Sequence, residues 1–213
     1  MRKNVSILLC LAFLCSLAVQ GLKAQPTSGI SDLKTLQQQF VDLKFGMFIH
    51  FNIPTFMDDD WADPEASPAI FNPVKLDCGQ WAKAAKAAKM RYGCLTTKHH
   101  SGFCIWDTKT TGYNVMNSPL KRDVVKEYTE AFRKEGLKTM LYYSILDTHH
   151  KLRPGFITKA HVEMVKEQLT ELLTNYGEIT AIIIDGWDAP WSRISYETIP
   201  FEEVYRLIKR LQP

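Results

Sequence analysis

Three histidines and one aspartate follow apolar segments of the chain in positions that suit sugar chemistry. His50 ends Phe-Gly-Met-Phe-Ile, the pair His99-His100 ends Gly-Cys-Leu-Thr-Thr-Lys, and Asp185 follows Ala-Ile-Ile-Ile. A neutral imidazole donates and accepts hydrogen bonds in fixed directions, which suits the hydroxyl groups of a small ligand. A carboxylate in such a place is costly to desolvate, but it can stabilise an oxocarbenium-like transition state. Asp185 is therefore the first candidate for catalysis.

Aromatic residues are frequent near these positions. Tyr142 and Tyr143 lie near the end of another apolar segment, and the segments are followed by Trp61, Trp106, Trp187 and Trp191. Aromatic faces suit the C–H-rich side of a sugar ring. Other residues are expected to be structural: Lys98 in an internal ion pair, His149, His150 and His161 in loops or at the surface, and Trp81 in the core.

Strands and helices alternate along the predicted structure. Strands are predicted at 45–50, 92–100, 137–144 and within 179–188, and helices at 31–42, after Asp77, at 122–135, after Thr158 and at 201–211. Asp77 and Gln80 form a predicted capping box, Gly136 a predicted helix stop, and Pro200 a predicted first helical residue. This alternation is typical of a parallel sheet with right-handed crossovers.

The predicted loops distinguish between two kinds of α/β fold. Long loops follow the strands, short links precede them, and the first strand lacks the Gly-rich turn of dinucleotide-binding folds. This asymmetry is typical of a TIM (β/α)8-type barrel, in which function gathers at the carboxyl ends of the strands. Such a barrel needs about eight units and ~250 residues. We therefore expect residues 25–213 to be the N-terminal half of a (β/α)8 catalytic domain.

Residues 1–24 have the pattern of an export signal. Arg2 and Lys3 precede an apolar stretch at 5–19, and Leu22-Lys-Ala24 offers a cleavage site. The stretch is short for a membrane span. We expect an exported protein, periplasmic or secreted, that is not held in the membrane after cleavage.

Cleavage would change the charge and the cysteine count. The chain has 26 Lys and Arg against 23 Asp and Glu, and three of the basic residues lie in the signal. The balanced remainder argues against a nucleic-acid partner. Cys78, Cys94 and Cys104 remain, an odd number that argues against a disulfide framework. Small buried hydrophobic residues are the favoured interpretation, with one bridge left open.

Several longer motifs resemble one enzyme family, the α-L-fucosidases of glycoside hydrolase family 29. The motifs are Lys44-Phe-Gly-Met-Phe-Ile-His50, Leu95-Thr-Thr-Lys-His-His-Ser-Gly-Phe-Cys-Ile-Trp106, Lys121-Arg-Asp-Val-Val, Leu141-Tyr-Tyr-Ser144 and Ile184-Asp-Gly-Trp187. The stretch from Thr55 to Pro73 is more similar to the branch that cleaves α-1,3/1,4-linked fucose. Asp60 stands where that branch usually has Glu, and Ile183 where it commonly has an aromatic residue.

The resemblance implies a role for each matching residue. Asp185 would be the nucleophile of an exo-acting, retaining glycosidase. The implied substrate-binding residues are His50, Asp60, Trp61, His99, His100, Tyr143 and Trp187. The resemblance implies no metal or other cofactor, and a fucosylated oligosaccharide or glycoconjugate as substrate. The general acid/base would lie on a later part of the barrel, beyond Pro213.

Two alternatives remain open at this stage. One is a metal-dependent barrel hydrolase with His50, His99, His100 and Asp185 as ligands; against it, adjacent strand residues point to opposite faces, so His99 and His100 would not easily share an ion. The other is a truncated, non-catalytic fragment of a fucosidase. The oligomeric state does not follow from the sequence.

Overall fold

The computed structural model describes residues 32–213, where four strands alternate with five α-helices. The strands are β1 (Gly46–Ile49), β2 (Tyr92–Lys98), β3 (Lys138–Ser144) and β4 (Ala181–Asp185). The helices are α1 (Leu33–Asp42), α2 (Cys78–Ala87), α3 (Val124–Lys134), α4 (Lys159–Thr174) and α5 (Phe201–Leu211). The predicted export signal, residues 1–24, lies outside the described residues. None of the helices in 32–213 has the length and apolar character needed to cross a bilayer.

All four strands run parallel, in the order β1-β2-β3-β4. A doubly wound sheet changes direction at a switch point in its strand order. Here each strand pairs with the next one along the chain, as in a β/α barrel. The predicted class is confirmed: the chain forms four successive units of a (β/α)8-type barrel. The domain boundary at residue 25 stays a prediction.

Side-chain caps fix where the helices begin. The Asp77 carboxylate accepts a hydrogen bond from the Gln80 backbone N–H at 3.0 Å, and Thr158 caps α4 in a reciprocal capping box with His161. Gly136, with φ of +72°, lets the chain leave α3 and enter β3. Pro200 precedes α5 as its N-cap instead of being the first helical residue, a shift of one position from the prediction.

The two faces of the sheet are covered differently. The face toward the helices carries the main core, including Leu95, Tyr128, Phe132, Leu141 and Leu169. The opposite face carries a small cluster of Cys94, Met140 and Tyr142. On that same side Phe48 is 54% exposed and Ile183 is 45% exposed. The candidate site lies at the carboxyl ends of the strands, on the side of this second face.

The three cysteines of the described region are free and buried, so the open possibility of a disulfide among them is ruled out. Cys94 packs against Met140 and Tyr142, and burial raises the pKa of its thiol to about 12. A thiol with so high a pKa stays protonated and unreactive at neutral pH. The interpretation of these cysteines as small buried hydrophobic residues is confirmed.

Candidate active site

Asp185 is the last residue of β4, and its side chain is 38% exposed. Both carboxylate oxygens accept hydrogen bonds, Oδ1 from the Gly186 backbone N–H at 2.7 Å and Oδ2 from the Tyr142 hydroxyl at 2.5 Å. Gly186 has φ of +76°, a conformation that other residues rarely adopt, and it turns the chain immediately after the carboxylate. The Asp185 carboxylate is therefore held in a fixed orientation at the carboxyl end of β4 and is still accessible to solvent.

Tyr142, and not Tyr143, is the tyrosine beside Asp185. Tyr142 shares its face with Ser144, which pairs with Asp185 in the sheet. Tyr143 points to the opposite face, is fully buried, and donates a hydrogen bond to the Gln168 side chain at 2.7 Å. The prediction that Tyr143 lies near the nucleophile is wrong by one residue, because successive side chains of a strand alternate between faces.

The three predicted histidines form one cluster around the ends of β1 and β2. The ring centroids of His50 and His99 are 4.7 Å apart, and those of His99 and His100 are 4.1 Å apart. His100 Nε2 lies 3.9 Å from Asp185 Oδ2. The strand ends thus bring three imidazoles and one carboxylate to a common hollow, which we call the histidine hollow.

His99 and His100 share this hollow although they are adjacent in sequence, contrary to the expectation from strand alternation. The register between β2 and β3 shifts between Thr96 and Lys98, and β2 ends at Lys98. The histidines therefore lie just beyond the regular strand, where alternation no longer applies. Even so, no group of three or more His, Cys, Asp or Glu side chains in 32–213 is arranged to hold a metal ion.

Aromatic rings and a hydroxyl surround His100. Its Nδ1 lies 2.7 Å from the Ser144 hydroxyl, which itself donates to the Leu146 carbonyl at 2.8 Å. Because the Ser144 hydroxyl gives its only proton to the Leu146 carbonyl, His100 donates its Nδ1–H to Ser144, and the neutral ring turns an unprotonated Nε2 toward Asp185. Trp61 stacks on the imidazole with centroids 5.2 Å apart, and the Trp191 ring lies 4.6 Å away. The hydrogen bond with Ser144 and the contacts with the two indoles together fix the orientation of the His100 ring.

Burial keeps the two adjacent histidines neutral. Desolvation lowers the pKa of His99 to about 3, with a further contribution from the neighbouring His100 and His50. Desolvation also lowers the pKa of His100, although the Asp185 carboxylate acts in the opposite direction. The Nδ1 atom of His99 is buried and has no hydrogen-bond partner within residues 32–213. Protein atoms cover this nitrogen, so its missing hydrogen bond is a cost of burial and not an open contact for a ligand.

The depressed pKa of His99 makes the folded state sensitive to acid. The unfolded chain takes up a proton near the ordinary pKa of 6.5, whereas the folded chain does so only near pH 3. The contribution to stability is complete above pH 6.5 and is lost as the pH falls toward 3, by up to about 1.4 kcal/mol per pH unit. Urea unfolding at several pH values should show a shallower dependence for His99→Gln than for the wild type; equal slopes would contradict the assignment.

Asp60 and Trp61 reach the hollow from the long loop after β1. The Trp61 backbone N–H donates to the Asp59 carboxylate at 2.8 Å, which shapes the turn, and the indole is 57% exposed beside His100. The Asp60 carboxylate is exposed and acts to raise the pKa of His100, although by less than Asp185 does. Both predicted residues therefore lie on the His100 side of the hollow.

Two tryptophans named from the sequence do not line the hollow. Trp187 donates to the Ile199 carbonyl at 3.1 Å and packs against Tyr196 and Phe201, at the start of α5. These contacts fix the loop after β4, and the implied contact of Trp187 with substrate stays a prediction. Trp106 is fully buried and donates to the Glu171 carboxylate at 2.8 Å. Sequence position places both near strand ends, but only packing decides which way each indole points.

Sequence reasoning did not place Ser144 in the hollow, and it named Tyr142 and Trp191 only as aromatic residues near the strand ends, not as site residues. A signal for the first two was present, since residues at two-residue spacing on β3 share the face that Asp185 occupies on β4. Trp191 carried no such signal because its position depends on the loop after β4. The ring packs over Gly186, where an added Cβ would approach the indole to 3.0 Å.

A buried polar network lies beneath the histidine pair. Lys98 is fully buried and donates to the Tyr143 hydroxyl at 2.9 Å and to Gln168 Oε1 at 3.1 Å. Its ammonium lies 3.4 Å from the fully buried Asp147 carboxylate. Burial acts against the charge on Lys98, but Tyr143 and Asp147 outweigh it and raise the pKa. The expected internal ion pair of Lys98 is confirmed.

His150 joins the same network from the loop after β3. Its Nδ1 lies 2.8 Å from the Asp147 carboxylate, and its Nε2 lies 2.8 Å from the Thr111 hydroxyl. His149 stacks on Tyr113 with ring centroids 3.9 Å apart. Both are half-buried loop residues, so they are loop histidines as predicted but make more contacts than surface residues would.

This geometry defines a class of protein: a (β/α)8-type barrel protein with a polar and aromatic hollow at the carboxyl ends of its strands. The α-L-fucosidase family profile matches residues 60–213. Alpha-L-fucosidase 1 of Arabidopsis thaliana is 35% identical over 196 residues, which make up 90% of this chain and 38% of that protein.

Solved structures agree with the family profile. A glycoside hydrolase 29 family member from an unknown rumen bacterium is 39% identical, with a TM-score of 0.76, and the match covers 84% of this chain and 34% of that one. A bacterial fucosidase crystallised with a monovalent iminocyclitol inhibitor is 29% identical, with a TM-score of 0.69, over 84% of this chain and 47% of its own.

The chain belongs to the α-L-fucosidase family, glycoside hydrolase family 29. It spans 38% of the length of the Arabidopsis relative and less than half of both solved structures. The resemblance of the sequence motifs to this family is confirmed.

Proposed function

We propose that the protein is an exo-acting, retaining α-L-fucosidase with Asp185 as its nucleophile. The observation that carries this proposal is the placement of Asp185: an oriented, partly exposed carboxylate at a strand end, with His100 Nε2 3.9 Å away. Membership of the family supports the reaction class.

The proposed reaction has two steps. In the first, an Asp185 oxygen forms a bond to the anomeric carbon as the bond to the leaving oxygen breaks, and a general acid gives that oxygen a proton. In the second, the same acid/base group takes a proton from water, and the water oxygen bonds to the anomeric carbon from the side of the departed group as the bond to Asp185 breaks, so fucose is released with retained configuration. The acid/base carboxylate belongs, by resemblance to the family, to a later part of the barrel and would stand about 5–5.5 Å from Asp185.

The hollow supplies the binding groups for this reaction. His50, His99 and His100 would bond the sugar hydroxyls, since their rings form one cluster with centroids 4.7 and 4.1 Å apart. Tyr142 donates to Asp185 Oδ2, so it orients the carboxylate and leaves that oxygen's other lone pair for the anomeric carbon. The exposed indole of Trp61 offers an apolar face beside them.

The finer parts of the proposal concern substrate and location. We propose α-1,3/1,4-linked fucose on oligosaccharides or glycoconjugates as the substrate, because the loop from Thr55 to Pro73 resembles that branch of the family. We also propose export to the periplasm or the medium, because residues 1–24 have the pattern of a signal peptide.

Trapping the covalent intermediate tests the nucleophile directly. A 2-deoxy-2-fluoro fucosyl donor with a good leaving group should add one fluorofucosyl unit to the full-length protein, since the fluorine slows both steps by destabilising their oxocarbenium-like transition states and the good leaving group speeds only the first. Peptide mass mapping should place the label on Asp185. Labelling of another carboxylate would overturn this assignment.

An aryl α-L-fucoside separates an active chain from a non-catalytic fragment. An aryl leaving group needs little help from a general acid, so release of the phenol depends mainly on the nucleophile. Turnover by residues 25–213 would show a working nucleophile in this segment. Activity in a longer form only would favour the fragment interpretation.

His100→Ala should weaken binding of an iminocyclitol or of fucose by about 1–3 kcal/mol, because a hydrogen bond in a buried site is lost. Isothermal titration calorimetry measures the change. His161→Ala, at the start of α4, is the matched control, because His161 bonds within its own helix turn. Unaltered affinity in His100→Ala would show that His100 makes no hydrogen bond to the ligand and that its role is structural.

A further inference from the structure

A second cleft lies beside the histidine hollow, between the loop after β3 and the loop after β4. Its volume is about 440 Å³, and Thr148, Arg153, Phe156, Trp191 and Arg193 contribute to its lining. Small-molecule sites commonly range from about 300 to 1,000 Å³. The cleft is therefore large enough for a sugar residue.

The cleft and the hollow share a wall. Trp191 lines the cleft, and its ring centroid lies 4.6 Å from that of His100. Thr148 also lines the cleft, and its backbone N–H and its hydroxyl both donate to the His100 carbonyl, at 2.9 and 3.1 Å. A group attached to a sugar in the hollow can reach the cleft across Trp191.

Exposed aromatic rings occur on both sides of the cleft. Trp191 is 44% exposed and Phe156 is 53% exposed. Aromatic faces suit the apolar side of sugar rings, and these two face the same cleft. These two rings give the cleft the character of a carbohydrate subsite.

Two arginines give the cleft a positive charge. Neither Arg153 nor Arg193 has a carboxylate within 4.0 Å among the described residues. The Arg153 guanidinium lies 4.8 Å from the centroid of the Phe156 ring, a cation–π contact that restricts its position. A guanidinium presents paired donors that match a sulfate or a carboxylate.

Arg193 is held by a strained but well-bonded loop. Its φ is +54°, in the left-handed region that non-glycine residues rarely occupy. The Ser192 hydroxyl donates to the Gly186 carbonyl, and the Asp188 N–H donates to the Ile194 carbonyl at 2.7 Å. The loop therefore fixes the Arg193 backbone at the edge of the cleft.

We propose that this cleft is the leaving-group subsite and that it binds an anionic sugar residue, one bearing a sulfate ester or a carboxylate. The proposal rests on the proposed fucosidase function, because it assigns to the cleft the part of the glycan from which fucose is cleaved. Two uncompensated guanidinium groups and two exposed rings in one cleft match an acidic sugar better than a neutral one.

Matched substrates test the proposal on the full-length protein. The initial rates of fucose release are compared for one neutral fucosylated oligosaccharide, its sulfated form, and a form that carries a carboxylate-bearing sugar. We expect kcat/KM to be about tenfold higher for at least one anionic form, the scale of one charge-assisted hydrogen bond. Which form is preferred identifies the source of the anion.

Variants then tie the preference to the cleft. Arg153→Gln and Arg193→Asn should each reduce the preference for the anionic form, and Asn tolerates the left-handed backbone. Affinity for an iminocyclitol, measured by calorimetry, should stay within about twofold, because such a ligand replaces the fucosyl unit in the histidine hollow and has no leaving group to place in the cleft. Arg206→Gln, which removes an exposed arginine of α5 that is paired with Glu202, is the matched control.

The outcomes separate this proposal from the one on which it rests. Equal kcat/KM for the neutral and both anionic forms, or a preference that survives both cleft substitutions, would overturn the anionic subsite while aryl fucoside turnover continues. Loss of the preference in Arg206→Gln as well would also overturn it, since the effect would then be one of net charge. No aryl fucoside turnover by the full-length wild type would overturn both proposals.

Discussion

Asp185→Asn is expected to lower kcat for fucoside hydrolysis by roughly 10⁴-fold or more, the scale seen when a catalytic nucleophile is removed. The amide is isosteric, and its oxygen can still accept from the Tyr142 hydroxyl or the Gly186 N–H, so the fold and sugar binding should persist. Stopped assays with an aryl α-L-fucoside measure the loss, and calorimetry with an iminocyclitol checks that binding remains.

Asp188→Asn is the matched control for this experiment. Asp188 is an exposed carboxylate three residues further on, and its φ of +51° is one that Asn tolerates. Its kcat should stay within about twofold of the wild-type value, as for a surface substitution.

Azide should restore turnover to the variant Asp185→Gly by giving a β-fucosyl azide, because the small anion replaces the missing nucleophile. Full activity in Asp185→Asn would remove Asp185 from the mechanism.

Lys98→Met is expected to lower the free energy of unfolding by about 3–5 kcal/mol, because it leaves the Asp147 carboxylate buried without its cation. Burial alone would raise the pKa of Asp147, but Lys98 and the hydrogen bonds from His150 lower it instead. Removing Lys98 takes away the larger of these two stabilising contributions. Urea unfolding of the two proteins at pH 7 measures the difference.

Lys109→Met provides the comparison with an exposed ion pair. Lys109 lies 2.7 Å from the Asp107 carboxylate, but its side chain is 76% exposed, so the pair should contribute no more than about 1 kcal/mol. The double variant Lys98→Met/Asp147→Leu should recover part of the stability lost in Lys98→Met, since no unpaired charge remains. A loss in Lys98→Met no greater than that in Lys109→Met would show that the buried pair contributes little.

The alternation of apolar segments with long polar loops determined the fold class. Apolar runs such as Ala181–Ile184 have no polar alternation, a pattern typical of parallel strands with helices between them, although Ile183 is 45% exposed in the described residues. The starts of the helices could also be predicted from the sequence. The side chains of Asp77 and Thr158 accept hydrogen bonds from backbone N–H groups three residues later, which is a strictly local interaction. Such features depend on neighbours in sequence and can be read from it.

The members of the site were predicted only in part. Asp185, His50, His99 and His100 follow from their place at strand ends, because parallel strands bring those ends to one edge. Tyr143 was predicted beside Asp185, but Tyr142 lies there, which shows the limit of that rule. A residue's place at the end of a strand predicts that it is near the site, but the face of the sheet to which its side chain points depends on the strand register. Here the pairing of Ser144 with Asp185 sets the face.

Only the tertiary structure decided the roles of Lys98, Trp187 and Trp191. A register shift after Thr96 turns Lys98 toward Tyr143 and away from the hollow, and it lets His99 and His100 lie side by side. Trp187 and Trp191 belong to the same loop, yet one indole anchors α5 and the other packs on His100. Local sequence fixes where a strand ends and a helix begins, because those depend on bonds between near neighbours; the direction of a long side chain depends on what distant segments place beside it.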